Sequence, residues 1–193
     1  MSAVNSTMLD LGTEAPDFSL PDTISGRNYN LDGFKGNKAL LVMFICNHCP
    51  YVKLIKKSLV EYASDFMDKG VGIVAISSND VEKYPEDGPD KMKEDAETYG
   101  YPFPYLYDES QEVAKKYKAA CTPDFFLFDE NMKLVYRGQF DSARPGNDVK
   151  PTGKELREAT ERVLSGKQVS EEQTPSVGCN IKWKKGNQPG YFG

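Results

Sequence analysis

Two cysteines separated by two residues, in the run Cys46-Asn47-His48-Cys49-Pro50, are the strongest chemical signal in the chain. A thiolate is the nucleophile of disulfide exchange, and its pKa falls below the free value of about 8.5 when a helix N-terminus or a cation faces it. Two intervening residues let the second thiol reach the first and release a mixed disulfide. The spacing therefore points to Cys46 as the attacking thiol and Cys49 as the resolving one. His48, the single histidine, stands beside them and can tune the thiolate. The competing reading of C-x-x-C is half of a zinc site. Such a site wants a second pair at similar spacing, and Cys121 and Cys179 stand alone.

The elements around the motif place it at a site suited to an anion. Residues 39–45 form a continuous apolar run, the pattern of a strand buried on both faces. After the cysteines, Val52, Ile55, Leu59, Tyr62 and Phe66 recur at helical spacing, with Lys53, Lys56 and Lys57 between them, up to Gly70. A second buried strand spans 71–76, so strand, helix and strand form a βαβ unit. The cysteines then lie where a strand ends and a helix begins, and free N–H groups there stabilise a negative charge.

Upstream, 15–22 reads as a proline-flanked edge strand, and 29–31 can pair back on it as a hairpin. Downstream come a polar loop over 82–90, a helix opened by Pro89 and stopped by Gly100, a short strand at 103–107 and a short helix from Asp108. Residues 124–128 and 134–136 read as an antiparallel hairpin. Thr152-Gly153-Lys154-Glu155 reads as a capping box before a last helix closed by Gly166. The final residues, 167–193, show no periodicity and are expected to form an irregular tail packed on a domain spanning 1–166. Within that tail Trp183 anchors by burial, and Lys182, Lys184 and Lys185 read as a solvated basic patch. The acidic segment 80–94 either covers the cysteines or is solvated. Pro123, in Cys121-Thr122-Pro123, opens an apolar strand where proline is unexpected and is a candidate for a cis peptide.

Three runs taken together resemble the thioredoxin-like superfamily, and within it the redoxin branch of peroxiredoxin-like proteins carrying C-x-x-C. They are Cys46 to Cys49 after the apolar strand, Cys121-Thr122-Pro123-Asp124-Phe125-Phe126, and Gly178-Cys179-Asn180-Ile181-Lys182-Trp183, with Ala15-Pro16-Asp17-Phe18 in support. The resemblance covers about residues 9–166. It implies an α/β thioredoxin-like fold, with a central mixed sheet flanked by helices and an N-terminal hairpin extension. It also implies Cys46 as nucleophile, Cys49 as its partner, and Thr122 with a cis Pro123 facing them. In that fold Cys121 falls near the motif. It is then a third redox thiol, a ligand with Cys46 and Cys49 in a soft-metal (copper or zinc) site, or an inert buried cysteine. For Cys179 the expectation is a tail that folds back and pairs with another cysteine, Cys121 being the named partner, or a packed free thiol.

A peroxidase reading fares worse. Peroxiredoxins carry P-x-x-x-[TS]-x-x-C; with Cys49 in the last position, Val42 replaces the proline and Cys46 the hydroxyl residue. With Cys46 last, Ala39 and Met43 stand there instead. Arg137 and Arg144 are the candidates for a peroxide-polarising arginine.

Composition bounds the rest. The chain has 193 residues and a net charge of −5, a poor balance for general nucleic-acid binding. No apolar run approaches the roughly 20 residues of a membrane span. One histidine excludes H-E-x-x-H proteases and all-histidine metal sites. The N-terminus carries no basic and apolar leader pattern, so the expected location is cytoplasmic and reducing. The expected activity is thiol–disulfide oxidoreduction against a disulfide-containing protein or a small thiol. A thiol reductant system would supply electrons, without an organic cofactor. A thiol peroxidase or a soft-metal carrier is the alternative.

Overall fold

The computed structural model describes residues 3–192. Its centre is a five-stranded mixed sheet in the order β6-β5-β4-β8-β9. The strands are β4 (Ala39–Phe44), β5 (Val71–Ser77), β6 (Tyr105–Tyr107), β8 (Asp124–Asp129) and β9 (Leu134–Gly138). Strands β4, β5 and β6 run parallel, as the βαβ reading requires, and β8 and β9 run antiparallel. Among the described residues, four α-helices accompany them: α1 (Pro50–Met67), α2 (Pro89–Tyr99), α3 (Glu112–Lys116) and α4 (Lys154–Leu164).

Side chains alternate along a strand, and β4 shows what that does. Leu41 and Met43 face one core, with Val52, Ile55, Leu59 and Phe66 of α1, Met92 of α2 and Leu156 of α4. Leu40, Val42 and Phe44 face a second core, with Phe126, Tyr117 and Trp183. A strand covered on both sides must be apolar at every position, which is why 39–45 reads without alternation. Pro89 begins α2, and Gly100 ends it in the left-handed conformation with φ 68°.

The N-terminal hairpin is present as β2 (Ser19–Pro21) against β3 (Asn28–Asn30), and a bridge from Asp22 to Leu106 ties it to the sheet edge. The C-terminal segment departs from the irregular tail expected. Residues 177–180 form β10 (Val177–Asn180), the middle strand of a second sheet between β1 (Ala3–Asn5) and β7 (Cys121–Thr122). Four residues are too few for a periodicity to register in sequence, and the strand's partners lie more than fifty residues away or at the other terminus. Two local readings also change. Gly153 caps α4 without a side-chain bond, and the orphan N–H groups of Thr152 and Gly153 donate to Asp141 Oδ2, both at 2.6 Å. Lys182 is buried rather than part of a solvated patch, its Nζ donating to the carbonyl and side-chain oxygens of Asn180.

Candidate active site

The site forms where β4 gives way to α1. Chain direction reverses there, and the loop Cys46–Cys49 is pinned by buried polar contacts. Asn47 N–H donates to Asp87 Oδ1 at 2.9 Å, Asn47 Nδ2 to the Glu86 carbonyl, and Tyr105 Oη–H to Asn47 Oδ1. Lys56, only 2% exposed, reaches the Asn47 carbonyl at 3.3 Å while paired with Asp95 at 2.6 Å. Helical spacing put Lys56 among polar residues. Its partners explain the burial, because a buried ammonium must be paired and hydrogen-bonded.

Cys49 is the N-cap of α1 and Pro50 its first helical residue. Its sulfur is the hub of a three-thiol cluster. Cys179 Sγ lies 2.8 Å from it, and Cys46, three residues upstream, shares the contact with Thr122. As a thiol, Cys49 donates to the Thr122 carbonyl at 3.2 Å. Thr122 Oγ1 lies 3.3 Å from Cys46 Sγ, so one residue touches both cysteines of the motif. The Thr122–Pro123 peptide is cis.

These contacts decide where a negative charge settles. Hydrogen bonds from Cys179 and then Cys46 pull the Cys49 thiol far below its ordinary range. Burial, followed by the bond to Cys49, pushes Cys46 up. Cys179 is pushed up chiefly because its proton is held in the bond to Cys49. The sequence expectation puts the lowered thiol at Cys46, whereas these contacts push Cys46 up and Cys49 down. The helix starts at Pro50 with Cys49 as its N-cap, so Cys49 lies at the positive end of the helix dipole without a side-chain capping bond, and Cys46 lies three residues upstream.

His48 is tied to a residue that sequence spacing did not single out. Its Nδ1–H donates to Asp87 Oδ2 at 2.5 Å, and its ring stacks on Tyr84 at 5.3 Å between centroids. The bond to Asp87 raises the His48 pKa. For Asp87, burial opposes ionisation, but the bonds from His48 and Asn79 hold its carboxyl below the usual range. Within the acidic segment, Asp87 is buried over the motif and Asp80 is buried too, while Glu82, Glu86, Asp90 and Glu94 are exposed to solvent. Asp87 has no motif around it; only its place in that covering loop could have flagged it.

Cys46, His48 and Asp87 bring one potential ligand atom each within 4.8 Å of one another. They are a poor metal cage. Asp87 Oδ1 accepts from the N–H groups of Asn47 and His48, and Oδ2 accepts from Asn79 and His48, which occupies its acceptor sites. The trio Cys46, Cys49 and Cys121 does not assemble. Cys121 turns to the far face of the β7–β10 ladder, its Sγ 3.4 Å from the Pro123 carbonyl. That placement follows from register: Cys179 lies opposite Thr122 and Asn180 opposite Cys121, and facing partners share a side. All four cysteines are free thiols, and Cys179 is a packed one whose sulfur contacts Cys49 rather than Cys121. Neither arginine joins the thiols. Arg137 donates to the Leu9 carbonyl and Gln173, and Arg144 to Gln139 and the carbonyls of Asp141 and Ala143.

A paired-thiol motif at a helix N-terminus, faced by a cis X-Pro peptide on a mixed sheet, defines a redoxin of thioredoxin-like fold. The chain belongs to the AhpC/TSA family, whose model matches residues 11–137. It is 28% identical over 132 residues to the thiol-disulfide oxidoreductase ResA of Geobacillus thermodenitrificans, covering 66% of this chain and 68% of that protein. An uncharacterized conserved protein from Geobacillus kaustophilus superposes with a TM-score of 0.94 at 55% identity, over 95% of this chain and 97% of that one. The thioredoxin domain of a thiol-disulfide oxidoreductase from Bacteroides vulgatus shares the fold, with a TM-score of 0.63 at 21% identity over 81% and 99% of the two chains.

Proposed function

We propose that the protein is a thiol–disulfide oxidoreductase that cycles Cys46 and Cys49 between dithiol and disulfide. The observation that carries this reading is the Cys49 sulfur at the N-cap of α1, flanked by thiols that hold its charge. Its thiolate attacks a disulfide of a protein or small thiol, forming a mixed disulfide and expelling the first partner thiolate. Cys46 then attacks Cys49 Sγ, the Cys46–Cys49 bond forms, and the second partner thiolate leaves. The partner gains two electrons and the dithiol loses them; a thiol reductant restores the dithiol by the reverse steps. The sequence expectation assigns the roles the other way, with Cys46 attacking and Cys49 resolving, and mapping which thiol carries the mixed disulfide separates the two orders.

His48 and Asp87 stand beside Cys46 and supply a paired acid and base for its proton. Thr122 positions both sulfurs through its hydroxyl and its carbonyl. The four cysteines suit a reducing, cytoplasmic setting, which belongs to the same proposal. The peroxidase alternative is weaker, since neither register of the template puts a Thr or Ser before the cysteine and both arginines bond elsewhere.

A redox titration of the full chain in thiol buffers tests this, with alkylation and mass mapping of each cysteine. The expected result is a reversible two-electron transition that joins Cys49 to Cys46. Failure of these two to pair at any poise overturns the reading.

A further inference from the structure

The dithiol mechanism needs two sulfurs, and the structure holds a third in contact with one of them. Cys179 Sγ is 2.8 Å from Cys49 Sγ and only 3% exposed. It is held there by backbone, not by chance packing. Strand β10 pairs with β7 so that Cys179 faces Thr122, the residue that touches Cys46 and Cys49. The neighbouring Gly178 allows that approach, since a Cβ there would lie 2.0 Å from the Thr122 carbonyl oxygen. Strand β1 backs β10 from the other side, with Ala3 opposite Cys179. A sulfur placed this firmly on the hub of the motif has a geometry for exchange.

We propose that Cys179 is a second resolving thiol, able to take the disulfide over from the C-x-x-C motif as a Cys49–Cys179 bond. This deepens the oxidoreductase reading and rests on it. Starting from the Cys46–Cys49 disulfide, the Cys179 thiolate attacks Cys49 Sγ. The Cys49–Cys179 bond forms, the Cys46–Cys49 bond breaks, and its electron pair leaves on Cys46 Sγ. Cys46 takes up the proton that Cys179 gave up, with the His48–Asp87 pair alongside. No electrons enter or leave in this step. It frees the Cys46 thiol while the protein stays oxidised, and it ties α1 covalently to the C-terminal strand. Equally, Cys179 resolves a mixed disulfide on Cys49 whenever Cys46 is unavailable. Cys121, on the opposite face, stays outside the exchange.

The test treats the full chain with oxidised glutathione and reads intact mass and disulfide-linked peptides after acid quenching. Cys46→Ser is expected to end as a Cys49–Cys179 disulfide, with about tenfold less glutathione adduct than the Cys46→Ser/Cys179→Ser double variant, which stops at the adduct on Cys49. Equal adduct in both variants, with no Cys49–Cys179 peptide, overturns the proposal. Should Cys46→Ser not fold, the unaltered protein trapped at partial oxidation decides. Both the Cys46–Cys49 and the Cys49–Cys179 peptides are expected, and Cys46–Cys49 alone overturns the relay while leaving the dithiol cycle standing. Absence of any bond to Cys49 would instead sink the oxidoreductase reading itself.

Discussion

Cys49 and Cys121 flank the same cis-proline strand, both fully buried, yet their thiols are shifted in opposite directions. On the Cys49 side, two thiols and a helix N-terminus supply donors to a negative charge. On the Cys121 side, burial first and the neighbouring Asp124 second push the thiol up, outweighing the Ser176 hydroxyl that pulls it down. Asp124 itself is so thoroughly buried that its carboxyl is pushed up to about 7. Depth alone therefore does not set the direction in which a thiol is shifted here. The donors aimed at the sulfur do, and a two-residue strand separates the two environments because successive side chains leave it on opposite faces.

The largest break in this comparison is expected from Cys49→Ser. The hub is then lost, and Cys46 and Cys179 have no common partner. The reversible two-electron transition should disappear in the thiol-buffer titration, while far-UV circular dichroism stays unchanged. A surviving transition would mean that Cys46 and Cys179 pair directly.

Gly178→Ala comes next. The new methyl meets the Thr122 carbonyl oxygen and carbon at 2.0 and 2.6 Å, both backbone atoms that cannot rotate away. Strand β10 must shift outward, at a cost of about 1–3 kcal/mol by analogy with overpacked cores. Thermal unfolding should report that loss. Peptide mapping should report fewer Cys49–Cys179 links relative to Cys46–Cys49. Loss of stability with an unchanged ratio of links would show that Cys179 follows Cys49 independently of the ladder.

How far these features were legible in sequence follows from how local their causes are. Strand β4, helix α1 and the placement of C-x-x-C between them depend on patterns within a few turns of chain, so residues 39–66 carry their own signal. The cis peptide at Pro123 was marked by a proline where an apolar strand opens. The partners were not local. Asp87 and Lys56 reach the motif across 40 and 9 residues, and nothing in their neighbours' identities distinguishes them from solvated charges. Cys179 was visible as a cysteine next to glycine, but its choice of Cys49 over Cys121 is set by the register of a three-stranded sheet. The charge of the motif is expected at Cys46 from the helix N-terminus and His48, and what the local pattern does not show is that His48 is engaged by Asp87 and that Cys49 is the N-cap residue.

Asp87→Asn sharpens the comparison from the acid–base side, with a smaller effect. An amide can still accept from the Asn47 and His48 N–H groups, but its NH2 would face the donors on Asn79 and the His48 ring. A loss of about 1–3 kcal/mol is expected for the unmet polar groups. The ionic part has a definite pH window. His48 has a raised folded pKa, so its contribution is complete below its unfolded value of about 6.5 and is lost as pH rises through the folded value. Asp87 has a lowered folded pKa, so its contribution is present above about 3.9 and is lost as pH falls through the folded value. The gap between the two proteins should be widest between about pH 4 and 6.5. Because His48 is the single histidine, one imidazole resonance in an NMR titration follows the change directly, and it should move toward the ordinary histidine range in the variant. An unmoved resonance would remove Asp87 from the acid–base pair.

Cys121→Ala should do least, and that is its value. The substitution deletes one buried sulfur with a long approach to the Pro123 carbonyl, so a cost of about 1 kcal/mol is expected from the small cavity alone. The ladder register of β7 against β10 rests on backbone bonds and is untouched. Thr122 keeps its hydroxyl near Cys46 and its carbonyl near Cys49. The redox midpoint and the set of disulfides on Cys49 should therefore match those of the unaltered protein. A shifted midpoint would mean that the two faces of the strand communicate, through Thr122 or through the Asp124 carboxyl, and that the far-face thiol tunes the near-face one without touching it. An unchanged midpoint would leave the donor arrangement around Cys49 as the difference between a buried thiol shifted down and one shifted up.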